Sequence, residues 1–367
     1  MDSLILYGGS FDPIHNGHLR IARAASLYLN SDVVFIPAPS PRWKNPNASS
    51  KDRLNMLKLA LASDGSPSFS ISLFEMNSNS EVNYSVDTVR YFAKRFKKRK
   101  LYFLVGADVT NNFDKWKDAE EIASLCQIVY VSRPGFVFRD DILSRFNMRR
   151  IPFDESGEVS SRDIRTLKSL DIPFSVRNYI EQHRLYYFKT LSELESEHRL
   201  LHSISVANLA CSIALQNKLD NHEQYYIAGL LHDIGKNLPE EESKRLMEKY
   251  YKSYICFPEW TYHQFLGEYL SKEKFGIDNK NILNAIKCHA TGKKDMNSFD
   301  KIIYASDKIE PSRGYDSTSL IDSCMKSYND GFRTVLKENK IYLESKDYKV
   351  DNKLTIECYK QYLGEKK

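Results

Sequence analysis

Apolar residues follow two different rhythms along the chain. In the first half they gather into short β-rich runs: SLILY (Ser3–Tyr7), VVFIP (Val33–Pro37), LYFLV (Leu101–Val105) and QIVYVS (Gln127–Ser132). Segments with helical spacing lie between these runs: HLRIARAASLYL (His18–Leu29), KDRLNMLKLALA (Lys51–Ala62) and SVDTVRYFAKRF (Ser85–Phe96). Strands alternating with helices predict an α/β fold with a doubly wound parallel sheet. From about Thr190 the rhythm changes. HRLLHSISVANLACSIALQ, EQYYIAGLLHDIG, FLGEYLSKEKFG and KNILNAIKCHA follow one another through short polar connections, with few strand signals. This half predicts an all-α domain. No Gly/Ser- or Pro-rich linker marks the junction, so the change of pattern alone places it at Tyr187–Thr190, giving domains 1–187 and 188–367.

A length of 367 residues fits two domains, each able to bury a core. The chain is 42% hydrophobic and 28% charged, an ordinary globular composition. Its net charge of +5 suits a protein that handles anionic nucleotides but is too small to predict a nucleic-acid partner. The densest basic run, KRFKKRK (Lys94–Lys100), reads as solvated charge at a helix end. Six cysteines without a CxxC pair indicate neither a zinc ribbon nor a disulfide framework. With a short apolar run behind Asp2 and no stretch near 18 apolar residues, neither a signal peptide nor a membrane span is expected. A cytoplasmic protein without a membrane partner is the expectation. Nothing in the pattern sets an oligomeric state.

GGSFDPIHNGH (Gly8–His18) leaves the first strand and enters the first helix. In a doubly wound sheet that junction is where ligands bind. Gly8 and Gly9 allow backbone to approach a phosphate, and Gly17 admits His18 at the helix entrance, where unsatisfied N–H groups attract anions. His15 and His18, three residues apart, can face one phosphate chain. No Walker lysine is present, which excludes a P-loop.

GGSFDPIHNGH resembles the signature of the nucleotidyltransferase superfamily with a His-x-Gly-His turn, whose fold is Rossmann-like. VGADVTNNFDKW (Val105–Trp116), VSSRDIR (Val159–Arg165), NYSVDTV (Asn83–Val89) and the closing DIPFSVRNYIEQHRLY resemble the nicotinate mononucleotide adenylyltransferases, over nearly all of residues 1–187. That resemblance implies transfer of AMP from ATP to nicotinate mononucleotide, giving deamido-NAD and pyrophosphate, by positioning and charge stabilisation. His15 and His18 would act as catalytic residues on the phosphates. Gly8, Gly9, Ser10 and Phe11 would line the substrate site, and Lys44 would reach the phosphates. Ser160, Ser161 and Arg165 would hold those of ATP. Gly106 and Asp108 would line the adenosine pocket, Ser85 and Trp116 would flank the pyridine ring, and Mg²⁺ would accompany ATP. Two departures fall near the mononucleotide site: SPRWK (Ser40–Lys44) stands for a Pro-Pro-His-Lys-like loop, and Ser85 for a threonine. They bear on the preference for acid over amide, for which the resemblance implies the acid. A pantetheine-phosphate adenylyltransferase shares the opening turn but does not account for VGADVTNNFDKW.

LLHDIGK (Leu230–Lys236) in the helical half places imidazole beside carboxylate, a pairing suited to divalent cations. His202 precedes it, and His263, His289 and Asp307 follow, each in its own helical segment. In this order the set resembles the HD phosphohydrolase superfamily. By that resemblance His202, His232, Asp233 and Asp307 would hold one metal, and His263 and His289 a second, with Asp233 bridging. A two-metal site suits phosphoanhydride hydrolysis. EHRLLHSISVA, the HATG at His289–Gly292 and SDKIEPSR (Ser306–Arg313) resemble the subfamily that hydrolyses diadenosine tetraphosphate symmetrically to two ADP. There Asp233 and Lys236 would serve catalysis, and Lys236 and Arg313 would contact phosphates. The resemblance implies iron, while mixed His/carboxylate sites also take manganese or cobalt. Gln264 stands where a smaller residue is usual. His183, His198 and His222 fall outside the pattern. Hydrolysis of another nucleotide, or a nucleotide-binding regulatory module, remains the alternative for this half.

Overall fold

The structure, a computed structural model, describes residues 2–39, 46–78, 83–132, 135–153, 159–346 and 352–364. The chain divides into two compact units, Met1–Arg165 with Ser169–Tyr186 and Thr166–Lys168 with Tyr187–Lys367.

In the first unit β1 (Ser3–Gly9), β2 (Asp32–Pro37), β3 (Phe69–Ile71), β4 (Lys100–Val105), β5 (Gln127–Val131) and β6 (Arg149–Ile151) form one sheet. All pairs are parallel, in the order β3-β2-β1-β4-β5-β6. The chain winds outward from β1 in one direction, then from β4 in the other. The carboxyl ends of these two neighbours therefore open the crevice in which such sheets bind ligands. Residues alternate between faces. Leu4, Leu6, Val34, Ile36, Phe103 and Ile128 share a core with Val86, Val89 and Phe92 of helix α3 (Ser85–Arg95). The intervening Ile5, Val33, Phe35 and Val129 are also fully buried, which is why these strands read as unbroken apolar runs.

The apolar pattern misses β3 and β6. Each has three residues, FSI and RRI, at an edge of the sheet, and Arg149 and Arg150 are exposed. The basic run does close a helix, since Lys94 and Arg95 occupy the last turn of α3. Helix α1 (Asn16–Leu29) follows β1. Helix α2 (Ser50–Asp64) is capped by Ser49, whose hydroxyl accepts from the Asp52 amide at 3.1 Å.

The second unit is helical among the described residues. Helices Glu197–Gln216, His222–Leu231, Tyr262–Phe275, Lys280–Cys288 and Ser298–Ile309 supply its centre. Two glycines set how closely they approach. A Cβ on Gly229 would stand 2.6 Å from Ala207 Cα, and one on Gly235 2.5 Å from the His263 carbonyl oxygen. The second contact seats the His232–Asp233 turn directly against the helix that carries His263.

Two candidate active sites

The first site grows from the junction of β1 and α1. His15 is the N-cap of α1, with extended backbone (φ −144°, ψ 169°), and a reciprocal capping box joins it to His18. The His15 amide donates to His18 Nδ1 at 3.3 Å, and the imidazole centroids lie 3.7 Å apart. Gly17 makes this close approach possible: a Cβ there would sit 3.0 Å from His15 Nδ1 and 3.1 Å from Val159 Cγ1. In front of Gly8 the space is open, with no described atom within 4 Å of a Cβ placed there. Phe11 is turned inward, edge-on to His18 at 5.3 Å and beneath Gly9, so it shapes the loop from below.

Two residues that do not stand out in the sequence, Asp12 and Arg53, hold this loop together with Ser161 and Arg165. The Asp12 carboxylate, fully buried, accepts from the amides of Asn47 (2.9 Å) and Ala48 (3.2 Å) and from Tyr186 Oη (2.8 Å). Buried Arg53 donates to the carbonyls of Ser10 (2.6 Å), Ala38 (2.8 Å), Pro39 (2.6 Å) and Ala48 (3.4 Å). It thereby ties the loop after β1 to the loop after β2. Arg165 donates to the Asp12 carbonyl at 2.6 Å and Ser161 Oγ to the Pro13 carbonyl at 2.9 Å, while Ser160 Oγ pairs with Asp163. VSSRDIR is thus brought against the histidine loop, with these side chains bracing it.

At the end of β4, Gly106 caps the short helix α4 (Ala107–Thr110) and leaves room for the exposed Asp108, whose Oδ1 would lie 2.6 Å from a Cβ on Gly106. Ser85 opens α3. Trp116 packs edge-on to Phe103 at 6.1 Å, and the Lys117 ammonium lies 4.1 Å from the ring centroid of Tyr84, the residue before Ser85. Lys44 and the SPRWK loop lie outside the described residues.

The second site draws on five helices. His202 lies within Glu197–Gln216, His232 caps the end of His222–Leu231 with Asp233 next, and His263 lies within Tyr262–Phe275. His289 caps the end of Lys280–Cys288, and Asp307 comes from Ser298–Ile309. All six residues converge. Asp307 Oδ1 lies 3.3 Å from His202 Nε2 and 3.5 Å from His232 Nε2. Asp233 Oδ1 lies 3.5 Å from both His263 Nε2 and His289 Nε2, and its Oδ2 is 3.8 Å from His232 Nε2. The two oxygens of Asp233 therefore face different histidines.

Every imidazole turns Nε2 inward because Nδ1 is held from behind. Nδ1 of His232, His263 and His289 meets the carbonyl three residues earlier, Gly229, Trp260 and Ile286, at 2.7 Å in each case. His202 Nδ1 meets Glu310 Oε1 at 2.9 Å. Such outer partners fix the tautomer of metal-binding histidines. His232 Nε2 and Asp233 Oδ1 are buried without a hydrogen-bond partner. Three overlapping triads have donor atoms within 4.8 Å of one another: His202–His232–Asp233, His232–His289–Asp307 and Asp233–His263–His289. This donor set fits divalent metal.

Electrostatics point the same way. Burial pushes His263 down to about 3, with His289 adding to the shift, and burial also lowers His289. Both are thus neutral, as ligation requires. Burial works against ionised Asp233 and Asp307. His232 and its neighbours nonetheless hold Asp233 well below the usual carboxylate range, and Lys308, His202 and His232 do so for Asp307.

Four cations complete the surround. Arg199 Nη1 (2.6 Å) and Lys236 Nζ (3.2 Å) meet Asp233, while Lys308 Nζ (2.6 Å) and Arg313 Nη2 (2.5 Å) meet Asp307. Arg199 and Glu310 escaped the sequence reading, although Arg199 stands one turn before His202 and Glu310 three residues beyond Asp307. Gln264 proves to be a support. Its Oε1 accepts from the amides of Ala290 and Thr291, both at 3.3 Å, fixing the chain just after His289. His183 stacks on Tyr179, and His198 and His222 are exposed; none of them belongs to the metal-type triads.

Residues 6–167 match the family described as cytidylyltransferase-like, and residues 199–312 match the HD domain. The chain is 34% identical over 319 residues to a probable nicotinate-nucleotide adenylyltransferase/Ap4A hydrolase of Mycoplasma genitalium, covering 86% of this chain and 89% of that protein. It is 32% identical over 343 residues to the protein of the same name from Mycoplasma pneumoniae, covering 91% and 98%. Its first half is 33% identical to the nicotinate-nucleotide adenylyltransferase of Bacillus subtilis, covering 51% of this chain and 99% of that one. Both halves of the longer relatives are matched in order. The chain belongs to the family of fused nicotinate-nucleotide adenylyltransferase/Ap4A hydrolases.

Proposed function

We propose that this chain carries two enzymes. The first unit transfers AMP from ATP to nicotinate mononucleotide, and the second hydrolyses diadenosine tetraphosphate to two ADP. For the transfer, an oxygen of the mononucleotide phosphate attacks the α-phosphorus of ATP, the bond to the bridging oxygen breaks, and pyrophosphate leaves. The close His15–His18 pair at the head of α1 supports this reading. It would set two imidazoles and a helix N-terminus where charge develops on phosphate oxygens. Asp12, Arg53, Ser161 and Arg165 keep that geometry rigid before substrate arrives. Mg²⁺ would accompany ATP, and the acid is the preferred mononucleotide, in line with the names of the relatives.

For the hydrolysis, the observation that carries the reading is the convergence of four Nε2 atoms on two buried carboxylates. His202, His232, Asp233 and Asp307 would hold one metal, and His263, His289 and Asp233 the other, iron being preferred over manganese or cobalt. Bound metal supplies an activated water and a clamp on phosphoryl oxygens. Water adds at one of the two central phosphorus atoms and the central P–O–P bridge opens, so each half leaves as ADP. Lys236 and Arg313, and with them Arg199, sit where they can move from the carboxylates onto phosphate oxygens. No helix among the described residues is long and apolar enough to cross a membrane, and we place both reactions in the cytoplasm.

Product analysis on the full chain tests the proposal. ATP with nicotinate mononucleotide is expected to yield deamido-NAD and pyrophosphate, and metal-loaded chain is expected to convert diadenosine tetraphosphate to ADP alone. AMP plus ATP would overturn symmetrical cleavage. Bound metal without turnover would favour the regulatory module.

A further inference from the structure

Beside the metal-type cluster the second unit holds a cavity of about 240 Å³, whose walls include His263, Lys236, Trp260, Lys244, Glu240 and Glu259. Trp260 is 53% exposed. Its carbonyl receives the His263 Nδ1 contact at 2.7 Å, so its backbone is fixed by the site while the indole stays available to a ligand. The charges around the cavity are segregated. Lys236 lies 3.2 Å from Asp233 and belongs to the cluster. Glu240 and Glu259 form a separate group, joined through Lys244 at 2.6 and 3.0 Å. Phosphates are drawn to the first group and repelled by the carboxylates of the second, whereas an exocyclic amine can donate to those carboxylates.

We propose that this cavity is the nucleobase subsite of the second site, where the indole of Trp260 stacks on adenine while the attached phosphates pass Lys236 toward Asp233. The substrate class rests on the hydrolase reading above. A cavity that sets an indole and a phenol ring beside carboxylates able to accept from an exocyclic amine suits a flat heterocycle. Stacking fixes the position of the phosphates relative to the histidines without itself touching the reacting bond.

The test is tryptophan fluorescence together with kinetics on the full chain. The sequence has three tryptophans, so Trp43→Phe combined with Trp116→Phe leaves Trp260 as the only reporter. ADP is expected to quench it saturably, and ribose 5-phosphate and inorganic pyrophosphate are not. In Trp260→Ala the KM for diadenosine tetraphosphate rises about tenfold, with kcat less affected and metal content unchanged. Trp260→Phe restores most of the affinity. Hydrolysis to ADP with neither quenching nor a KM change keeps the hydrolase and overturns the subsite. Quenching by ADP in a chain that does not hydrolyse the tetraphosphate keeps the subsite and overturns the hydrolase.

Discussion

The two sites are built in opposite ways. In the first unit the chemistry is local: His15 and His18 sit on one strand–helix junction, Asp12 lies in the same loop, and Asp12 and the distant residues Arg53 and Arg165 hold backbone. In the second the ligating atoms themselves are distant, spread from His202 to Asp307, and what is local is the support of three of the four histidines, His202 being held by the distant Glu310. The carbonyl three residues before each of His232, His263 and His289 lies on that histidine's own turn. A phosphate-stabilising loop needs many backbone donors in a fixed curve, which one segment can provide. A metal-type site needs several side chains at mutual distances of a few ångströms, which only packed helices supply.

The contrast breaks most sharply at Asp233. Asp233→Asn removes the carboxylate shared by both histidine groups, so metal content falls and hydrolysis drops by several kcal/mol of barrier, at least about a thousandfold. Elemental analysis and ADP release measure this, and hydrolysis within tenfold of the parent would contradict it. In the first unit the comparable weak point is a support. Arg53→Met leaves carbonyls of Ser10, Ala38, Pro39 and Ala48 without their donor, at a cost of roughly 3–5 kcal/mol. The first unit's unfolding midpoint and AMP transfer fall together while hydrolysis persists. Retained transfer in a stably folded variant would show that the clamp is dispensable.

Legibility follows the same division. The strands β1, β2, β4 and β5 were readable because burial on both faces makes them unbroken apolar runs, and the helical half because its apolar positions keep a helical period, whereas β3 and β6, three residues each, are too short to show a pattern. All six ligand-type residues were visible in the sequence through their order, which resembles that of the HD superfamily; a helical histidine alone does not stand out, as His198 and His222 show. Asp12 lay inside the quoted motif, yet nothing there reveals that it caps the amides of Asn47 and Ala48. Arg53 looked like one more charge on an amphipathic helix, since sequence does not show a guanidinium turned inward toward carbonyls.

A smaller effect sharpens the electrostatic side of the comparison. Burial pushes the Glu195 carboxyl up to about 7 from an ordinary 4.5, partly offset by His232 and by the hydroxyl of Ser203. A raised carboxyl favours the folded state while protonated. Its contribution is therefore complete below about 4.5 and is lost as pH rises through about 7. In metal-free chain, Glu195→Gln should flatten the stability–pH curve across that window by up to about 3 kcal/mol. Unfolding titrations at pH 4.5, 6 and 8 measure it, and parallel curves for both proteins would sink the assignment. Smaller still is Glu310→Gln, which weakens the hold on His202 Nδ1 and should loosen metal binding about 10–100-fold. A chelator competition assay reads that loss, and unchanged affinity would remove Glu310 from the account.

The central claim is that one chain holds two chemically separate sites, and crossed activity assays on two full-length variants test it most directly. His18→Ala is expected to lose about 10²–10³ in AMP transfer and to release two ADP from diadenosine tetraphosphate at the parental rate. Asp233→Asn is expected to do the reverse. If either substitution abolished both reactions in folded protein, the two sites would not be separate.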